Sequence, residues 1–159
     1  MLSYVFRVMK RLFAFMTSGE RMTPDLRPAQ MFYEHYSKVR PNEWHWKNFT
    51  PKEIACKGTG ELLVDYEAMD ALQKLRDILG VPVTINSAYR SDSHNRAVGG
   101  APNSQHRLGR AFDIRLTKAI ARDKLHVAAE AAGYRGVGDY NTFVHLDTRE
   151  TKTTWDYRK

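Results

Sequence analysis

Two segments of the chain carry a helical repeat of apolar positions, and several shorter ones carry the two-residue alternation of half-buried strands. In DYEAMDALQKLRDILG the apolar residues recur every three or four positions, so Met69, Leu72, Leu75 and Leu79 form one buried stripe. Asp65 stands where an N-cap belongs and Gly80 where a helix stops. TKAIARDKLHVAAEAAG predicts a second amphipathic helix, capped by Thr117 and stopped near Gly133. FTPKE predicts a short helix, in which Thr50 caps, Pro51 takes the first helical position and Glu53 completes a capping box. VPVTIN, RAFDIRL and TFVHLD alternate as strands do. Helices and strands are interspersed without the regular alternation of a doubly wound sheet, and no internal repeat or Gly-rich phosphate loop occurs. The expected class is therefore α+β, a small antiparallel sheet with flanking helices.

The alternation also assigns faces. In RAFDIRL, Phe112, Ile114 and Leu116 share one parity and suit the core, which sends Asp113 to the other side with Ala111 and Arg115. Ala111 is small enough to leave room beside the carboxylate. In TFVHLD, Val144 and Leu146 suit the core and leave Phe143, His145 and Asp147 opposite. Gly109 permits a tight turn before the first of these strands, which lets His106 fold back over the same face. Two imidazoles and one carboxylate then meet at one groove. Such a set suits Zn²⁺ and leaves one coordination position open, the mark of a catalytic site, whereas structural zinc usually closes its tetrahedron with cysteines. Taken singly, His35, His45, His94 and His126 read as surface or hydrogen-bonded core residues.

Composition narrows the partners. The chain of 159 residues suits one compact domain, and its formal net charge of +7 favours polyanions such as nucleic acid, anionic lipid or the phosphate polymers of a bacterial wall. Its one cysteine, Cys56, cannot form an intramolecular disulfide and reads as a small semi-buried hydrophobe. At the start of the chain, Arg7, Lys10 and Arg11 interrupt the place where a signal peptide's apolar region would lie, so no cleavable signal is expected. A helix there would carry one basic stripe beside Leu2, Val5, Phe6, Met9, Phe13 and Met16. Such a helix either lies on anionic membrane or wall polymer or docks on its own domain. The expected organisation is a basic amphipathic segment over residues 1–22, a linker or helical extension over 23–48, and a catalytic domain over 49–159.

SQHRLGRAFD resembles the Ser-x-His-x-x-Gly-x-Ala-x-Asp signature of the zinc D-alanyl-D-alanine carboxypeptidase family, which also includes phage endolysin peptidases. Ser104, His106, Gly109, Ala111 and Asp113 carry the match. INSAYRSDSHNRAVGGAPN resembles that family's arginine-bearing strand end and loop, and FVHLDTR its terminal ligand segment, so the likeness runs over roughly residues 49–149. The resemblance implies the fold of these peptidases, shared with hedgehog-like domains. It also implies zinc held by His106, Asp113 and His145, with Arg90 at the substrate carbonyl or carboxylate. Zinc would then acidify a water and polarise the scissile carbonyl, and Arg90 would offer a permanent forked donor set to the oxyanion. Ser104 is expected to fix the loop that carries His106. Better-known members place an acid three residues, or a histidine two residues, before the last ligand, where this chain has Thr142 and Phe143. The general base therefore falls to Asp147, which can alternatively orient a ligand from behind, or to Asp139 in the GVGDY turn.

The implied function is a zinc peptidase cutting stem peptides or cross-links of bacterial peptidoglycan, of the phage or prophage endolysin type. It would be made in the host cytoplasm, act at the wall and work as a monomer. The alternative is a non-catalytic zinc-containing wall-binding domain of the same fold. A nucleic-acid module is disfavoured, because basic and aromatic residues are not interleaved on any one strand and no helix-turn-helix or zinc-finger spacing occurs.

Overall fold

The structure is a computed structural model that describes residues 29–159. The amphipathic segment expected over residues 1–22 lies outside the described residues. A first strand, β1 (Gln30–Tyr33), is followed by short 3-10 turns, helix α1 (Pro51–Ile54), strand β2 (Leu62–Asp65) and the long helix α2 (Tyr66–Leu79). Strand β3 (Ile85–Ser87), helix α3 (Asp92–Ala97), a 3-10 turn over Gln105–Leu108 and strand β4 (Ala111–Arg115) come next. Helix α4 (Arg122–Ala132) and strands β5 (Gly136–Asp139), β6 (Phe143–Asp147) and β7 (Thr153–Asp156) complete the α+β chain. None of the described helices is long and apolar enough to cross a membrane.

β1 and β2 form an antiparallel pair, while the main sheet has the order β3-β4-β6-β5-β7. The main sheet is antiparallel except at its last edge, where β7 runs parallel to β5. On one face Phe112, Ile114, Val144 and Leu146 are buried, as their parity predicts, and Leu116 packs against them partly exposed. The stripe of Met69, Leu72 and Leu75 on α2 joins Leu125, Ala128 and Ala129 of α4 in this core. Two alanines at that contact let the helices approach closely. The Thr50–Glu53 capping box forms, and Asp65 caps α2 by accepting from Ala68 N–H at 3.0 Å.

Three local expectations are corrected. VPVTIN is strand only from Ile85, because Pro82 has no N–H to give a ladder. Thr117 does not cap α4; its Oγ1 accepts from Ile120 N–H at 3.1 Å and closes a separate turn that buries Ile120, and the helix starts after Ala121 without a side-chain cap. The extension expected as linker or helix carries strand β1, and Trp46 within it is core, its Nε1–H donating to Asp70 Oδ1 at 2.9 Å. Residues from 29 onward thus pack with the sheet and helices.

Trp46→Ala is accordingly expected to cost about 3–5 kcal/mol, the usual range for emptying a buried aromatic site. Val127→Ala, on the exposed side of α4, should change stability by less than about 0.5 kcal/mol. Denaturant midpoints measure both, and an unchanged midpoint for Trp46→Ala would place this segment outside the cooperative unit.

Candidate metal centre

The face of the sheet opposite the core is built by register. β4 and β6 are central neighbours, and Asp113 lies directly across from His145, with Ala111 across from Asp147 and Arg115 across from Phe143. His106 arrives from the Gln105–Leu108 turn. Ser104 Oγ accepts the His106 backbone N–H at 3.3 Å, fixing the start of that turn. Gly109 ends it with φ 68°, and a Cβ there would collide with the Leu63 carbonyl, so both conformation and close approach require glycine.

His106 Nε2, His145 Nδ1 and Asp113 Oδ1 converge with separations of 3.2, 3.3 and 3.0 Å. Their protonation is fixed from behind. His106 Nδ1 lies 2.6 Å from the Ala88 carbonyl, which can only accept, so the proton is on Nδ1 and Nε2 presents a lone pair. His145 Nε2 lies 2.9 Å from Asp147 Oδ2, so its proton points to Asp147 and Nδ1 presents a lone pair. With His145 neutral, three acceptors face one another in a buried site, an arrangement relieved either by a proton on His145 Nδ1, which then donates to Asp113 at 3.0 Å, or by a cation among them. Zinc bonds of about 2.0–2.1 Å put tetrahedral donors about 3.3 Å apart, which matches this triangle. The residues present thus fit Zn²⁺, and this is the one such cluster among the described residues.

The surrounding contacts set the electrostatics. Burial lowers the His106 pKa, leaving a neutral ligand. Burial alone would lower that of His145 too, but hydrogen bonds to Asp113 and Asp147 outweigh it and hold the pKa above the ordinary imidazole value. Burial raises Asp113 and Asp147, yet the imidazoles around Asp113, and Arg149 with His145 around Asp147, hold both carboxyls well below the usual range. Arg90 Nη2 donates to Asp113 Oδ2 at 3.0 Å, and its Nε donates to Ser87 Oγ at 2.8 Å. Nη1 of Arg90 has no partner among the described residues.

Two of the expected catalytic residues do not stand at the converging atoms. Asp147 is fully buried on the far side of the His145 ring, and Arg149 donates to both of its oxygens. Its Oδ2 accepts from His145 Nε2 and fixes the orientation of that ring. Asp139 pairs in register with Val144, so it shares the core side of the sheet, where Arg122 and His126 bind it. Burial raises its pKa, and those two partners more than offset that. His35, His45 and His94 do not join the cluster either. Cys56 is buried and free, with its sulfur accepting from Ser91 N–H.

Trp155 and Arg149 were not singled out from the sequence. The Trp155 ring lies 5.2 Å from the His145 ring, and Arg149 sits over it at 4.9 Å. The signal available was GVGD: a Cβ on Gly136 would strike the Asp147 carboxylate and one on Gly138 the Trp155 indole, so two alternating glycines clear β5 for both side chains. A family model described as Peptidase M15 matches residues 47–147, well over half of the chain. Comparison with curated proteins finds no match.

Because Asp147 acts through His145, Asp147→Asn should weaken zinc affinity about 10–100-fold, while Asp139→Asn should leave it unchanged; chelator competition measures both. Zinc must also displace any proton on His145 Nδ1. Affinity should therefore fall as pH drops through a His145 pKa lying above the ordinary ~6.5. Affinity that stays flat from pH 8 to pH 5, on the order of three pH units, would contradict this linkage.

Proposed function

The chain belongs to the Peptidase M15 family, and from that membership we propose that it is a zinc peptidase hydrolysing peptide bonds of bacterial peptidoglycan. The observation that carries the metal assignment is the meeting of three lone pairs, from His106, Asp113 and His145, whose direction is fixed by Ala88 and Asp147. Zinc held by them supplies a Lewis acid that acidifies water and polarises a carbonyl. Arg90 keeps Asp113 in place through Nη2 and offers its remaining Nη1 to the oxygen on which negative charge develops. Asp147 holds the His145 tautomer. Neither Thr142 nor Phe143 can take a proton, and Asp139 and Asp147 are both committed elsewhere.

The wall substrate is supported by the signature around His106 and by the net charge of +7, which suits an anionic polymer. The same reading makes the protein a phage or prophage endolysin, monomeric, reaching the wall from the host cytoplasm. Residues 1–22 would then add attraction to anionic lipid or wall polymer. One observation favours a second reading, a zinc-containing wall-binding domain without catalysis: no acid or histidine occupies position 142 or 143.

Purified peptidoglycan, incubated with the full chain and analysed for released fragments by mass spectrometry, separates the two. The expected result is cleavage that chelator abolishes and zinc restores. His106→Ala, Asp113→Ala and His145→Ala should each lower both metal content and cleavage. Arg90→Ala, assayed at saturating zinc, should lose about a hundredfold or more in rate. A protein that takes up no zinc overturns the metal assignment, and one that binds zinc and wall without releasing fragments is the binding domain.

A further inference from the structure

Strand β4 carries a second charge on the metal face. Arg115 lies two residues beyond Asp113, so alternation places both on the same side of the sheet with Cα atoms about 7 Å apart. Its Nε donates to Asn86 Oδ1 at 3.2 Å, and no carboxylate among the described residues lies within ion-pair distance of it. Arg90, Arg110, Arg122 and Arg149 differ in this respect, since each is ion-paired to an aspartate. Arg115 also borders a recess of about 520 Å³, lined otherwise by Asn86, Leu116, Asn141 and Thr142. Two amides and a hydroxyl offer neutral hydrogen-bonding groups there, and none of the lining residues is acidic.

We propose that this recess is a substrate subsite in which Arg115 selects peptides carrying a carboxylate close to the bond that is cut. The inference rests on the reading of the metal centre as a peptidase centre. Both terminal nitrogens of the guanidinium are unengaged among the described residues, and its planar fork matches a carboxylate bidentately. An extended peptide advances about 3.3–3.6 Å per residue, so the span from Asp113 to Arg115, with the reach of the arginine side chain, corresponds to a carboxylate within about three residues of the scissile bond. Phe143, directly across from Arg115 and stacked on Tyr140 at 4.3 Å, gives the same face an apolar surface beside the arginine. The carboxylate has two possible sources: an acidic residue within the peptide, or its C-terminus.

Three probes separate these sources: the stem pentapeptide L-Ala-γ-D-Glu-L-Lys-D-Ala-D-Ala, the same peptide amidated at the D-Glu α-carboxylate, and the same peptide amidated at its C-terminus. Binding to the zinc-loaded full chain is titrated by calorimetry, and cleavage is followed separately by mass spectrometry. One amidation should weaken binding by about tenfold or more, and which one does so identifies the source. Arg115→Ala should erase that difference at unchanged zinc content, and Arg115→Lys should restore part of it. Equal binding of all three peptides, binding of none, or discrimination that survives Arg115→Ala overturns the proposal. Arg115-dependent discrimination leaves the subsite standing; if neither these peptides nor purified peptidoglycan is then cleaved, the peptidase reading is overturned, whereas cleavage without discrimination does the reverse.

Discussion

The arrangement on which the rest of the site depends is a mutual repulsion held in place: when His145 is neutral, His106 Nε2, His145 Nδ1 and Asp113 Oδ1 point their lone pairs at one another within 3.3 Å. Leaving a buried polar group unsatisfied costs about 1–3 kcal/mol, so three such groups would drift apart unless other bonds prevented it. Each is pinned from behind, by the Ala88 carbonyl, by Asp147 and by Arg90. A cation that binds only this folded arrangement stabilises it by mass action, about 2.7 kcal/mol at a hundred times its dissociation constant. The fold therefore prepares the site, and occupancy repays part of the strain of preparing it.

Preparation depends on the sheet's register. A slip of one residue between β4 and β6 would turn Asp113 or His145 into the core and bring Ile114 or Val144 out. The apolar face packed on α2 and α4 makes that slip costly, which is how a hydrophobic core specifies where Asp113 and His145 stand. β5 contributes by omission, since Gly136 and Gly138 leave the volume that the Asp147 carboxylate and the Trp155 indole fill. β7 then closes this edge in parallel with β5, bringing Trp155 beside His145.

The parts of this design that follow from local periodicity were legible in the sequence. Two-residue alternation separates Phe112 and Ile114 from Asp113, and Val144 and Leu146 from His145, with no knowledge of the partner strands. The α2 stripe and its caps follow from the helical repeat and from residue chemistry. What escaped depends on contacts distant in sequence. Asp139 looks available in its turn, but its strand parity sends it to the side where α4 presents Arg122 and His126. Asp147 shares a face with His145, yet alternation does not say which ring nitrogen it reaches. Trp46 sits in a segment whose polar neighbours hide that it is core, and Thr117 has a cap's chemistry but spends it on Ile120.

The charges at the centre come in matched pairs, and that pairing shapes what a bound cation meets. Asp113 shares its charge with Arg90, and Asp147 shares its charge with Arg149. A carboxylate already engaged by a guanidinium donates less electron density to a metal than a free one does, and the two imidazoles are neutral donors. A dication held by His106, Asp113 and His145 would therefore keep most of its positive charge, the condition under which it best lowers the pKa of water and polarises a carbonyl. Arg90 offsets Asp113 through Nη2, and under the proposed function its Nη1 would face the substrate. Replacing it removes a donor and also makes the metal site more electron-rich. Its loss is therefore expected to exceed what a single missing hydrogen bond would explain.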